Sequence, residues 1–211
     1  MTIPIYHITA IQNLTSIINS GGIMSLNRLR EGKTNYTNIA YESIQDRRST
    51  KLVPCGAGGS LHDYVPFYFA PRSPMLYTIH RGNVEGYSQG QQQILHLVTT
   101  AESVNDRGLA YVYTDGHAVM EYSDFYDDIE YLYLEPIIDW ELMEARYWFD
   151  TEEDPDRKRR RQAEFLVYNF FPWHLVTEIG VINPTIQAQV SNLLLKSVHK
   201  PNILVRRDWY Y

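Results

Sequence analysis

Arg157-Lys158-Arg159-Arg160-Arg161-Gln162-Ala163-Glu164-Phe165-Leu166-Val167-Tyr168 joins five consecutive cations to a carboxylate and then to an apolar run. Phe165 to Tyr168 reads as a buried strand, because β-branched and aromatic residues without helical spacing favour the pleated conformation. Glu164 therefore opens a core strand. Such a position holds a carboxylate rigidly, and the cations before it favour its charged form, an arrangement suited to stabilising a developing positive charge. The plainer alternative is an acid paired with its neighbouring arginines.

The flanking segments mix strands and helices without a regular βαβ rhythm, which predicts an α+β fold. Ile3 to Thr9 alternates as a strand, and Ile11 to Ile18 follows at helical spacing until Gly21-Gly22 stops it. Leu26 to Ala57 is polar, with a short helical stretch around Ile44 that ends in Asp46-Arg47-Arg48. Leu61 to Phe69 reads as a dense aromatic strand, and Pro71 and Pro74 set a turn before Met75-Leu76-Tyr77. Ile94 to Val98 and Ala110 to Thr114 read as buried strands, the second closed by Asp115-Gly116-His117. Trp140 to Trp148 predicts a helix with Asp139 as N-cap. Glu178 to Ile182 and Asn202 to Val205 read as late strands around a helix from Thr185 to about Val198.

The chain has 211 residues with 44% hydrophobic content, enough for one substantial core, and residues 1–211 are expected to form one domain. The formal net charge of -6 conceals a division. Residues 121–156 carry fourteen acids against Arg146 alone, so the remainder is at +7 and suited to a polyanion. No run of apolar residues approaches membrane-spanning length and Met1-Thr2-Ile3-Pro4 carries no signal-like region, so a soluble, cytoplasmic protein without a membrane partner is expected.

Several chemistries are disfavoured by the motifs. Gly56-Ala57-Gly58 begins like a dinucleotide fingerprint, but Leu61 stands at the third glycine position, which leaves a plain turn. Cys55 is the single cysteine and excludes an internal disulfide; a Cys55–His62 thiol site lacks a supporting motif. The seven histidines show no tight ligand spacing, so no metal is expected. What remains is dispersed: His7 on the first strand, Arg47-Arg48 on a polar segment, Tyr68 on the aromatic strand, His117 after a strand and Glu164 at the start of another.

A strand-borne His, an aromatic and a Gln-x-Glu at a strand start resemble the His-Tyr-Glu arrangement of ADP-ribosyltransferases. Longer segments resemble one family of them, DarT, the DNA ADP-ribosyltransferase toxins of DarT-DarG toxin-antitoxin systems. These segments are Ile5-Tyr6-His7-Ile8-Thr9, Ile44-Gln45-Asp46-Arg47-Arg48, Leu61 through Tyr77, Thr114-Asp115-Gly116-His117, Gln162-Ala163-Glu164 and Trp209-Tyr210-Tyr211. The resemblance spans essentially the whole chain in order. It implies an ADP-ribosyltransferase fold, a split β-sandwich of mostly antiparallel sheets with flanking helices.

The resemblance also implies a reaction, transfer of ADP-ribose from NAD to a base in single-stranded DNA. Thymine is the expected acceptor, with guanine, RNA or protein as alternatives, and a DarG-like macrodomain antitoxin is the expected partner. A DNA-binding module of the same fold without catalysis is the other class. Breaking the nicotinamide–ribose bond creates an oxocarbenium-like centre and a neutral leaving group, so one positioned carboxylate suffices. Glu164 and Arg48 are then the expected catalytic residues, with His7, Thr9, Tyr68, Met75 and His117 expected to hold NAD. Arg72, Lys158, Arg159, Arg160, Arg161 and Gln162 are expected at the DNA. The alternative for the basic tract is pairing with the acidic run before it. The base that takes the thymine N3 proton is left open between Glu164 and a relay of Arg48 and His117.

Overall fold

The computed structural model describes residues 2–134 and 136–211. In chain order the strands are β1 (Pro4–Ala10), β2 (Gly22–Met24), β3 (Tyr64–Tyr68), β4 (Ile94–Thr100), β5 (Tyr111–His117), β6 (Phe125–Tyr126), β7 (Ala163–Tyr168), β8 (Phe170–Pro172), β9 (Glu178–Val181) and β10 (Asn202–Val205). The helices are α1 (Leu14–Asn19), α2 (Leu26–Glu31), α3 (Glu42–Thr50), α4 (Pro74–His80), α5 (Ala101–Asp106), α6 (Tyr131–Leu134), α7 (Trp140–Glu144), α8 (Arg157–Arg160) and α9 (Pro184–Leu193). The main sheet has the order β10-β9-β4-β1-β3-β7-β5-β6, and β2 pairs with β8 beside it. All pairings are antiparallel except β9 with β10, which α9 connects as a crossover. Among the described residues no helix is long and apolar enough to cross a membrane.

The sheet is nearly divided between β1 and β3. β1 pairs with β4 along its whole length, but with β3 only through Tyr6 and Tyr68. Pro66 explains the break. Its carbonyl faces β1, where it accepts a hydrogen bond from His7 Nδ1 at 2.8 Å. Its nitrogen faces the same side and has no proton to donate, so the ladder cannot continue. Beside the single Tyr6–Tyr68 pairing in this large, mostly antiparallel sheet lies a cleft lined by residues of β1, β3 and β7. Ile5, Leu97, Val65 and Phe165 pack beneath it in one large core, and Leu76 and Ile79 of α4 join a second cluster with Ile8.

Four local readings change in the structure. Leu61 to Asp63 form a 3-10 turn rather than strand, because Ser60 and Asp63 make a reciprocal capping box. The strand expected to close before Asp115 runs to His117, with a bulge between Tyr113 and His117. The helix from Trp140, capped by Asp139 as expected, ends at Glu144, where the carbonyls of Leu142 and Met143 are taken by the Arg161 guanidinium. The helix expected to reach Val198 stops at Leu193.

Candidate active site

The cleft between the two halves of the sheet has a volume of about 540 Å³ and is lined from both sides. His7 and Thr9 come from β1, Tyr68 from β3, Met75 from α4, Arg48 from α3, and Glu164 from β7. The volume lies within the range of small-molecule sites. His117, Lys158 and Gln162 also border it.

Glu164 is 2% exposed and lies opposite Tyr68 in the β3–β7 register. Its Oε2 accepts from Arg48 Nη1 at 2.8 Å, and its Oε1 accepts from the Ala118 backbone at 3.2 Å. The β5 bulge makes this possible. Thr114 Oγ1 accepts from the Glu164 amide and donates to the Gly116 carbonyl, which turns the chain so that Ala118 N–H reaches the carboxylate. A Cβ at Gly116 would meet the Arg159 side chain, which would have to shift to admit it. Arg48 is 7% exposed, and its Nη2 is buried without a partner among the described residues. A buried guanidinium nitrogen left unsatisfied is costly unless a ligand completes it.

His7 is a neutral acceptor. Burial pushes its pKa down to about 4, and the bond from Nδ1 to the Pro66 carbonyl places its proton there, so Nε2 carries a lone pair. Burial also lowers His117, with Glu164 opposing and Arg48, Arg47 and Lys158 reinforcing. The Tyr68 hydroxyl donates to Met75 Sδ at 3.5 Å, and burial followed by the charge of Glu164 raises its pKa. Thr9 is buried and accepts from Asn13 Nδ2 at 3.1 Å. Asn13 also bonds both backbone groups of Thr37, which fastens the polar segment before α3 over the cleft.

The basic tract folds as a short helix. Arg157 to Arg160 form α8, and of the five cations only Arg161, which caps it, is buried. Arg159 is bound by Asp156 and by Asp115 at 2.8 Å, and Arg160 by Asp139 at 2.6 Å and by Asp154. Arg161 is 3% exposed and spends its donors on the carbonyls of Leu142, Met143 and Arg72. Burial lowers its pKa to about 10. Arg159 and Arg160 are thus held by aspartates, the pairing that stood as the alternative for the basic tract, and Arg161 links α7 to the start of β7. Arg72 stacks its guanidinium 4.4 Å from the Tyr211 ring centre, outside the cleft lining. Lys158 and Gln162 remain at the rim, with Lys158 exposed and in no ion pair among the described residues.

Sequence reasoning missed three contributors. Asn13 carries no motif. Gln45, one turn before Arg48, also lines the cleft and bonds His62. Phe149 is 49% exposed and stacks on Trp148 at 4.5 Å, so the rim beside Lys158 holds an aromatic shelf. Its available signal was the Tyr147-Trp148-Phe149 triplet interrupting the acidic stretch. Cys55 is half-buried, with its thiol pushed up by burial and Asp127, and it does not border the cleft. Among the described residues no group of three or more His, Cys, Asp or Glu is placed to hold a metal ion.

Comparison with known proteins places the chain beside characterised relatives. A family model described as ssDNA thymidine ADP-ribosyltransferase, DarT, matches residues 6–211. A DNA ADP-ribosyl transferase of Thermus aquaticus is 45% identical over 209 residues, 98% of this chain and 88% of that protein. The DarT of Thermus sp. 2.9, solved with ADP-ribosylated ssDNA, superposes with a TM-score of 0.91 at 43% identity, over 99% of this chain and 96% of the other. Its complex with NAD+ superposes with a TM-score of 0.85 at 40% identity, over 99% and 98% of the two chains. A Thermosipho africanus DNA ADP-ribosyl transferase-DNA ADP-ribosyl glycohydrolase fusion protein is 28% identical over 97% of this chain and 48% of its own length.

Proposed function

The chain belongs to the DarT family of single-stranded-DNA thymidine ADP-ribosyltransferases, and from that premise we infer that it transfers ADP-ribose from NAD to thymine in single-stranded DNA. The observation that carries this reading is the buried Arg48–Glu164 pair at the foot of the cleft, with Tyr68 beside Glu164 on the neighbouring strand and His7 on β1 across the division of the sheet.

The cleft fits the dinucleotide. Its volume suits the nicotinamide end of NAD, the unpartnered Arg48 Nη2 can donate to a ligand oxygen, and the His7 Nε2 lone pair can accept from a ribose hydroxyl. Bound there, NAD supplies a ribose already joined to a good, neutral leaving group. Glu164 stabilises positive charge developing at the ribose C1′, since a fixed carboxylate in a dry site requires no reorganisation as the reaction proceeds. Tyr68, protonated because its pKa is raised, and Met75 pack against the nicotinamide. The bond from C1′ to nicotinamide nitrogen breaks, a bond from C1′ to thymine N3 forms, and the N3 proton is released. Glu164, or Arg48 and His117 together, receives it.

Lys158, Gln162 and the Phe149 shelf at the rim supply a phosphate contact and a stacking surface for a single strand. The reading places residues 1–211 as one catalytic domain acting without a metal in the DNA-containing compartment, the cytoplasm of a bacterial cell. Its partner is an ADP-ribosyl glycohydrolase of macrodomain type, by analogy with the Thermosipho fusion protein. The test is incubation with labelled NAD and, separately, a thymine-containing oligonucleotide, a thymine-free oligonucleotide, RNA and protein. Label is expected on the first alone; label on RNA or protein alone would overturn the assignment.

A further inference from the structure

We propose that Arg30, His62 and Gln45 form a one-way hydrogen-bond relay that fixes the Gln45 side chain as an N–H donor in the cleft, where it recognises a carbonyl or phosphoryl oxygen of a bound substrate. The direction starts at Arg30. A guanidinium donates and cannot accept. Its Nη1 contacts His62 Nδ1 at 3.4 Å, so that nitrogen carries the lone pair.

His62 is 2% exposed. Burial and then the charges of Arg30 and Arg48 oppose its protonation and lower its pKa, with the bond to Gln45 and the charge of Asp63 acting the other way. A neutral ring accepting at Nδ1 carries its proton on Nε2. Nε2 lies 3.0 Å from Gln45 Oε1, so the ring donates and the amide oxygen accepts. The opposite amide orientation would set two donors against each other.

The Gln45 nitrogen is thereby left with two N–H groups and no protein partner among the described residues, on a half-buried side chain that borders the cleft. Gln45 and Arg48 are three residues apart on α3, hence on one face, and both line the cleft. A fixed amide donor there selects an oxygen acceptor. The donor follows from the geometry alone; the identity of its ligand rests on the transferase reading above. NAD offers its carboxamide and diphosphate oxygens, and thymine offers its two carbonyls.

Two measurements test the relay. Long-range nitrogen–proton NMR of His62 is expected to show the Nε2–H tautomer, and the Nδ1–H tautomer would overturn the proposal whatever the protein's activity. Gln45→Met, Arg30→Met and the double variant are then compared by NAD dissociation constant, KM for the oligonucleotide and melting temperature. Gln45→Met should raise one of the two constants ~3- to 10-fold, and the constant that moves identifies the substrate. Arg30→Met should weaken the same constant by a smaller factor and have no effect in the Gln45→Met background. Gln45→Glu still accepts from His62 and donates nothing, so it repeats the test should the methionine variant melt low. Unchanged constants, or an Arg30→Met effect undiminished in the double variant, would overturn the relay, while wild-type protein that neither binds NAD nor labels DNA would overturn the transferase reading and the ligand assignment with it.

Discussion

Arg48 Nη1 stands 2.8 Å from Glu164 Oε2, with the two side chains 9% and 2% exposed. Arg48 is the buried residue of α3, a helix with little apolar surface, so this ion pair ties the helix to the sheet as well as positioning the carboxylate. Removing one partner strands the other charge. Arg48→Ala should therefore abolish transfer and cost roughly 3–5 kcal/mol of stability. Arg48→Met combined with Glu164→Gln should recover most of the stability and none of the activity. Urea denaturation beside the labelling assay checks both; recovered activity in the double variant would contradict the assignment.

Acid sensitivity follows from buried histidines. Burial pushes His7 and His96 from 6.5 down to about 4. Between those values the unfolded chain binds protons that the folded chain does not, so stability falls as pH drops through 6.5 and levels off below 4. Each ring contributes a slope of roughly 1.4 kcal/mol per pH unit. His96 lies between the Pro71 carbonyl and the Tyr210 hydroxyl, outside the cleft lining. His96→Gln should flatten the acid limb of a urea-midpoint series from pH 7.5 to 4.5; an unchanged slope would contradict the assignment.

The strands and their burial were largely legible because β-favouring runs such as Phe165–Tyr168 and Ile94–Val98 declare themselves locally. Glu164 stood out locally, but its pairing with Arg48 did not, since residues 48 and 164 meet by topology and no spacing rule links them. The pairing of the basic tract was hidden for a related reason. Its sequence shows charge but not the partners that charge finds: Asp154 and Asp156 lie just before it, while Asp115 and Asp139 reach it from more distant parts of the chain. The division of the sheet turns on the missing N–H of Pro66 and the His7 bond to its carbonyl, which become visible only once β1 lies beside β3.

The basic residues should separate in their effects. Lys158→Gln should raise the KM for DNA and reduce its salt slope by about one unit, as expected for one phosphate contact. Arg159→Gln and Arg161→Gln should lower the melting temperature and leave that slope unchanged, because their donors are bound to acids and carbonyls. KM measured across a salt series decides it. A lower slope in Arg161→Gln with unchanged melting would return that residue to the DNA.

Strandedness and metal dependence are also predicted. A thymine N3 is occupied in a base pair and unstacking costs a few kcal/mol, so duplex DNA should be labelled far less than the single strand. Dialysis against a chelator should leave the rate unchanged. Equal labelling of duplex, or a loss restored by zinc or magnesium, would contradict the proposed chemistry.

The most direct measurement is mass spectrometry of a single-stranded oligonucleotide with one thymine, incubated with NAD and either wild-type protein or Glu164→Gln, with melting curves for both. One ADP-ribose on the thymine with the wild type, none with a folded Glu164→Gln, is the predicted result. Undiminished transfer by the variant, or wild-type label on any other base, would contradict it.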